Sequence, residues 1–309
     1  MPIHSMADTP RPHGRPPHAL RWMTTLWLLL LALPASAGDA WRESRVLAFG
    51  EGRDWVLVRM PGLQSERVVF PAGFEPTALT VTRDGKTIVF TSQDAHHPFD
   101  ALFAWDWKAK TAPRSIGMDT GRHGEPALSP DGQWVYFAHH PESDGPPGQH
   151  TSKATAQITR VRIDGLNYER LTDAPGCHFA PAPATSGKVI FLHTPCDFTR
   201  SIKVLDTRSR QVTAIRTAGL RMEQLSLSPD SKRGVYAEMR SDTLALMEVD
   251  VSTGGVKQLH KFDRTGPLAR PQYGRSTNEI LYQHDGAVWR FDGKTATRLF
   301  PFLSQESQQ

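Results

Sequence analysis

Most of the chain alternates between short runs of β-branched and aromatic residues and compact polar clusters rich in Gly, Pro, Asp and Ser. That rhythm predicts short buried strands joined by tight turns. It also repeats. Ser129-Pro130-Asp131-Gly132 precedes Trp134-Val135-Tyr136-Phe137, and Ser228-Pro229-Asp230-Ser231 precedes Gly234-Val235-Tyr236. Arg83-Asp84-Gly85 precedes Ile88-Val89-Phe90, and weaker copies run through Ser186-Gly187 and Thr277-Asn278. Asp84, Asp131, Ser186, Asp230 and Thr277 stand 47, 55, 44 and 47 residues apart.

Each unit has a simple physical logic. Pro presets φ and Gly accepts the strained position, so Pro-Asp-Gly closes a tight turn. The apolar run after it reads as a buried strand. A variable loop follows, then a strand ending in Asp: 101–106, 158–164, 202–206, 244–250 and 287–292. A further short strand, such as 168–172 or 256–259, completes four per unit. Four short strands repeated radially describe a propeller blade. Segments 45–49, 55–60 and 66–70 supply an earlier unit matching only the last three strands. The fold predicted is an all-β, six-bladed propeller with one incomplete blade. Its blades fall at about 43–70, 75–116, 124–173, 177–218, 222–262 and 268–302, within a single domain over 38–309.

The N-terminus reads differently. Arg11, Arg15 and Arg21 precede an apolar run from Trp22 to Leu33, then Pro34 and Ala35-Ser36-Ala37. A basic region, a short apolar core and a small-x-small site make a secretory signal peptide over 1–37, cleaved after Ala37. The expected address is periplasmic or secreted, with no membrane span in the mature chain. The full chain carries 36 basic and 32 acidic residues. Removing the leader takes three Arg and one Asp, leaving the balance near neutral, which argues against nucleic acid as a partner. In an oxidising compartment Cys177 and Cys196 become a candidate disulfide, because they flank one hairpin and pairing arithmetic sets Cys177 opposite about residue 195.

The Ser-Pro-Asp-Gly turn with its Val-Tyr-Phe strand, followed by Ile158–Gly165 and Arg170-Leu171-Thr172, resembles the WD40-like (PD40) repeats of the TolB family. The resemblance covers roughly residues 43–302. It implies a TolB-like propeller serving as a periplasmic binding platform for an envelope protein, peptide or glycan. The first strand begins almost at the leader, so the α/β domain that precedes the propeller in TolB proteins is not expected.

Chemistry concentrates at one strand end. Two residues after each recurring aromatic stand Glu51, Ser92, His139, His193, Glu238 and His284. Hairpin pairing adds His123 and Glu125 beside His139 and His140, His178 beside His193, Glu223 opposite Glu238, and Arg270 near His284. His96, His97 and His150 fall in loops on the same face. Imidazole and carboxylate together suit a divalent metal ion, with His178 and His193 as the nearest pair. Two readings stay open. One is a non-enzymatic binding module whose ligand-binding face is this cluster. The other is a metal-dependent enzyme, polysaccharide-lyase-like or a hydrolase, since oligogalacturonate lyases are similar propellers that hold a metal with histidines. No G-x-S-x-G elbow is present, so a fused serine hydrolase is not expected. The recurring Asp106, Asp164, Asp206, Asp250 and Asp292 read as turn residues rather than calcium ligands.

Overall fold

The computed structural model describes residues 45–97, 99–118, 120–141, 155–195, 200–218, 221–239, 243–263 and 268–301. The expected signal peptide, His150 and Cys196 lie outside the described residues. The described chain contains strands and no helix, in six antiparallel sheets arranged as a propeller. No helix among the described residues is long and apolar enough to cross a membrane.

Blade 1 holds three strands, β1 (Arg45–Glu51), β2 (Asp54–Met60) and β3 (Gln64–Val68). Blade 2 holds β4 (Ala78–Val81), β5 (Thr87–Ser92), β6 (Ala101–Asp106) and β7 (Arg114–Ser115). Blade 3 holds β8 (Arg122–Leu128), β9 (Trp134–His140), β10 (Gln157–Arg162) and β11 (Glu169–Arg170). Blade 4 holds β12 (Cys177–Pro183), β13 (Lys188–Thr194), β14 (Arg200–Asp206) and β15 (Val212–Ala218). Blade 5 holds β16 (Arg221–Leu227), β17 (Arg233–Met239), β18 (Thr243–Asp250) and β19 (Val256–Asp263). Blade 6 holds β20 (Leu268–Tyr273), β21 (Ile280–His284), β22 (Ala287–Phe291) and β23 (Ala296–Pro301). The innermost strands touch in ring order, β4 with β8, β8 with β12, β12 with β16 and β16 with β20.

The turns form as their side chains dictate. Asp131 Oδ1 accepts from the Gln133 amide at 3.1 Å while Ser129 Oγ accepts from the Trp134 amide at 2.9 Å. Asp230 with Ser228, and Asp84 with Thr82, repeat both bonds. The strand-end aspartates cap the next turn: Asp106, Asp164, Asp206, Asp250 and Asp292 each accept from amides two or three residues ahead. Their carboxylates are committed to these Asx turns.

The cores lie between blades, because both faces of each sheet are apolar. Val46, Trp55 and Leu57 of blade 1 pack with Leu79, Phe90 and Phe103 of blade 2. Equivalent clusters join blades 2 and 3, 3 and 4, 4 and 5, and 5 and 6. A sixth joins Leu47, Phe49 and Val58 of blade 1 to Leu281 and Val288 of blade 6. Each buried Phe or Leu contributes roughly 1.5–3 kcal/mol, so the ring is held by face-to-face packing.

That last cluster shows how the ring closes. Phe49 of β1 occupies the place that Phe137, Phe191, Tyr236 and Tyr282 hold on second strands, so among the described residues blade 1 has no innermost strand. Side chains of blade 6 stand in its stead. Gln272 Nε2 donates to the Ala48 carbonyl at 3.0 Å, and the Gly50 amide donates to Gln283 Oε1 at 3.1 Å. Arg45 donates back to the Tyr273 carbonyl at 2.9 Å. Arg270 lies over Trp55 at 4.5 Å and donates to the Thr77 carbonyl of the segment leading into blade 2 at 3.2 Å. Gly50 has φ 150°, and a Cβ there would stand 2.2 Å from the Asp54 carbonyl oxygen. Glycine is therefore required where β1 turns tightly against Asp54 and Trp55.

Candidate functional site

The innermost strands of blades 3 to 6 share one irregularity that sets the geometry of the site. Each carries a bulge in which two residues oppose one on the neighbouring strand. Its first residue is Glu125, Ala180, Gln224 or Arg270, all in the left-handed region with φ between 48° and 53°. A non-glycine residue there costs of order 1–3 kcal/mol, and such strain concentrates at functional sites.

The bulge corrects the pairing read from the sequence. Counting outward from the turn puts Glu223 opposite Glu238, but the extra residue shifts the register by one. Met222 faces Glu238, and Glu223 faces Ala237. For the same reason Leu268 rather than Ala269 faces His284, with Arg270 in the bulge itself, and Cys177 faces Thr194 rather than residue 195. The shift leaves His123 opposite His139 and His178 opposite His193.

These two imidazole pairs occupy equivalent places in adjacent blades. The His178 and His193 ring centres are 4.8 Å apart, and those of His123 and His139 are 5.1 Å apart. His178 and His123 are buried, each against the Phe of the next strand, Phe191 or Phe137. Thr172 Oγ1 donates to Gln157 Oε1 at 2.7 Å and accepts from the Ile158 amide at 3.0 Å. It therefore also accepts the Nδ1–H of His178 at 2.8 Å. His123 Nδ1 has only the Asp100 carbonyl to meet, at 3.2 Å, so it too carries the proton. The Nε2 atoms of both rings are buried without a hydrogen-bond partner. Burial first, and the facing imidazole second, pull His178 down to about 3 and His123 down to about 4. His140, opposite Arg122, falls to about 4 through burial and that guanidinium.

The other predicted site residues do not join them. Glu238 is buried beside Met222, and His284 is buried between Phe262 and Trp289. His97 binds Asp94 Oδ1 at 2.8 Å, and that oxygen also takes the amides of His96 and His97, so this pair closes a loop. Among the described residues no three His, Cys, Asp or Glu side chains come together to hold a metal ion. Each facing pair, His178 with His193 and His123 with His139, could offer at most two imidazoles.

Glu125 and Arg270 belong to a different set, the bulge residues of the inner wall. Glu125 reaches from blade 3 to accept the Ala180 amide of blade 4, and Gln224 reaches from blade 5 to accept the Arg270 amide of blade 6. All three side chains stay half-exposed. Burial raises the Glu125 pKa and lowers that of Arg270 to about 10, while each charge opposes the shift of the other. Arg200 adds a second guanidinium: it lies over Phe179 at 4.7 Å, bonds the Met222 carbonyl and stands 3.9 Å from Glu223. Arg200, Gln224, Gln272 and Gln283 were not evident from residue type. The available signal was position, since each bulge residue stands seven before the turn residue Gly132, Gly187, Ser231 or Thr277.

No protein-family model matches the sequence. Over 89 residues the chain is 38% identical to an uncharacterised protein of Agrobacterium fabrum, a stretch that covers 28% of this chain and 27% of that one. Among solved structures, TolB from Acinetobacter baumannii superposes with a TM-score of 0.62 at 17% identity, covering 88% of this chain and 66% of that one. An oligogalacturonate lyase in complex with manganese superposes with a TM-score of 0.57 at 13% identity, covering 80% of this chain and 70% of that one. The chain thus spans just under two thirds of the TolB structure and about a quarter of its Agrobacterium relative. At these identities the structural likeness speaks for the fold alone.

Proposed function

We propose that this chain is a non-enzymatic binding module of the cell envelope, a PD40-type propeller that engages a protein, peptide or glycan through the mouth and wall of its central tunnel. The observation that carries this reading is the division of labour between its polar groups. The histidines at the strand ends are built into the blades as tilted, facing ring pairs, with His123 and His178 buried and their pKa values pulled well down. Two charged side chains of the inner strands, Glu125 and Arg270, instead sit on strained bulges and stay half-buried rather than sealed off. Fixed polar groups on a rigid concave wall are what selective binding needs. The likeness to TolB is consistent with such a platform. The reading includes export through the 1–37 leader and a disulfide between Cys177 and Cys196 in the oxidising compartment.

The test is site-specific photo-crosslinking in cells, with the photoreactive residue at Gln224 on the inner wall or at Ser65 on the outer strand of blade 1. A discrete adduct from position 224 and none from 65 is expected. Stoichiometric metal in tag-free protein, lost in a His178→Ala/His193→Ala double variant together with turnover of a polyuronate, would overturn the reading in favour of a metal-dependent lyase.

A further inference from the structure

The inner wall holds two opposite charges that feel each other without pairing. Glu125 Oε2 is occupied by the Ala180 amide. Its second oxygen has no protein hydrogen bond and is not cut off from solvent. Arg270 is held by Thr77 and Trp55 through one edge and one face of the guanidinium. Its Nε and Nη1 likewise have no protein acceptor and are not buried orphans. Between them stands Gln224, whose oxygen is bound to the Arg270 amide while its Nε2 remains open. No ion pair forms between Glu125 and Arg270, yet each charge registers on the other.

Such an arrangement is only partly self-compensated. Two opposite, desolvated charges held apart by rigid strands are stabilised most by a guest that brings the complementary charge to each. Arg270 is anchored over Trp55, and Glu125 is anchored on the Ala180 amide. Neither can swing across to pair with the other without giving up those bonds. The flanking Arg200–Glu223 pair supplies a second positive and a second negative charge on the same wall, and both act on Glu125.

We infer that the tunnel wall between blades 3 and 6 is a receptor for a zwitterionic amino-acid-type ligand, its carboxylate on Arg270 and Gln224 Nε2 and its ammonium on Glu125 Oε1. This inference rests on the binding-module reading and names the ligand chemistry of that same wall. Guanidinium and primary amide offer donors only toward a carboxylate, and an ionised carboxylate offers acceptors only toward an ammonium. A neutral sugar would satisfy neither charge.

The experiment is isothermal titration of the intact mature protein with glycine, β-alanine, γ-aminobutyrate, 6-aminohexanoate and diglycine, a series that spans the charge separation. One member is expected to bind best, at least tenfold tighter than its N-acetylated or its amidated counterpart. Glu125→Gln keeps an oxygen for the Ala180 amide, so it folds, and it is expected to weaken that ligand by tenfold or more. Arg270→Gln should do the same, with the circular dichroism melt checking its fold. If no member outbinds its blocked forms, or if Glu125→Gln leaves the affinity unchanged, the inference fails. A crosslinked partner at position 224 would still stand in that event, so the two readings fail separately. Equal binding of the amidated, purely cationic forms would also overturn it, since Arg270 would then have no part.

Discussion

Acid should loosen this propeller through its paired histidines, and the size of the effect follows from burial. His178 is 1% exposed and titrates at about 3 in the folded protein, against about 6.5 in an unfolded chain. The folded state refuses a proton that the unfolded chain accepts. Stability is therefore complete above about pH 6.5 and is lost as the pH falls toward the folded value. At pH 5 the loss from this one ring is about 2 kcal/mol, and near pH 3 it approaches about 5 kcal/mol. His123, 0% exposed and held at about 4, adds about 2 kcal/mol at pH 5. The groups facing these rings deepen the effect: His193, Lys203 and Arg170 around His178, and His139, His140 and His97 around His123. A domain of this size loses about 2–4 °C per kcal/mol, so Tm should drop by roughly 8–16 °C between pH 7.5 and pH 5. Thermal melts at both pH values measure it. His178→Asn, which keeps a donor for Thr172, should remove about half of this two-ring share, and a His123→Asn/His178→Asn double variant should remove all of it, leaving only the further loss that His140, also pulled down to about 4, contributes. If the double variant loses as many degrees as the wild type on acidification, burial of these rings is not what makes the fold acid-sensitive.

The ring seam offers further predictions. Gln283→Leu strands the buried Gly50 amide and should cost about 1–3 kcal/mol, seen as a lower urea midpoint. Faster hydrogen exchange should be confined at first to β1 and β21, because their shared cluster closes the ring. Arg270→Ala removes the Thr77 bond and the stack on Trp55, and should cost about 1–3 kcal/mol by the same urea titration. Gly50→Ala must place a Cβ 2.2 Å from a backbone oxygen at φ 150°, and should cost at least about 3 kcal/mol or prevent soluble expression. Asp250→Ala, by contrast, removes an exposed Asx cap and should shift Tm by no more than a few degrees.

The repeat was legible because blade structure is local. Asp84, Asp131 and Asp230 close their turns with bonds to residues two or three away, and the apolar run after each turn needs only a sheet on either side. The three-stranded first unit was legible for the same reason, since Phe49 fell in phase with the other aromatics. The imidazole pairs were half legible. The sequence placed His178 beside His193, but their burial depends on neighbouring blades.

What only the tertiary structure decided is the inner wall. A single bulge per inner strand moves every later partner by one, so Glu223 leaves Glu238 and Cys177 meets Thr194. The bulges recur at one fixed distance before the turn, but the residue types there, Glu125, Ala180, Gln224 and Arg270, have nothing in common that would mark them. The clasp of Gln272, Gln283 and Arg270 across the missing strand joins residues more than 190 positions apart. By itself the sequence determined the unit and its count. The tertiary structure decided which charges meet, because propeller closure brings the two ends of the repeat together only in space.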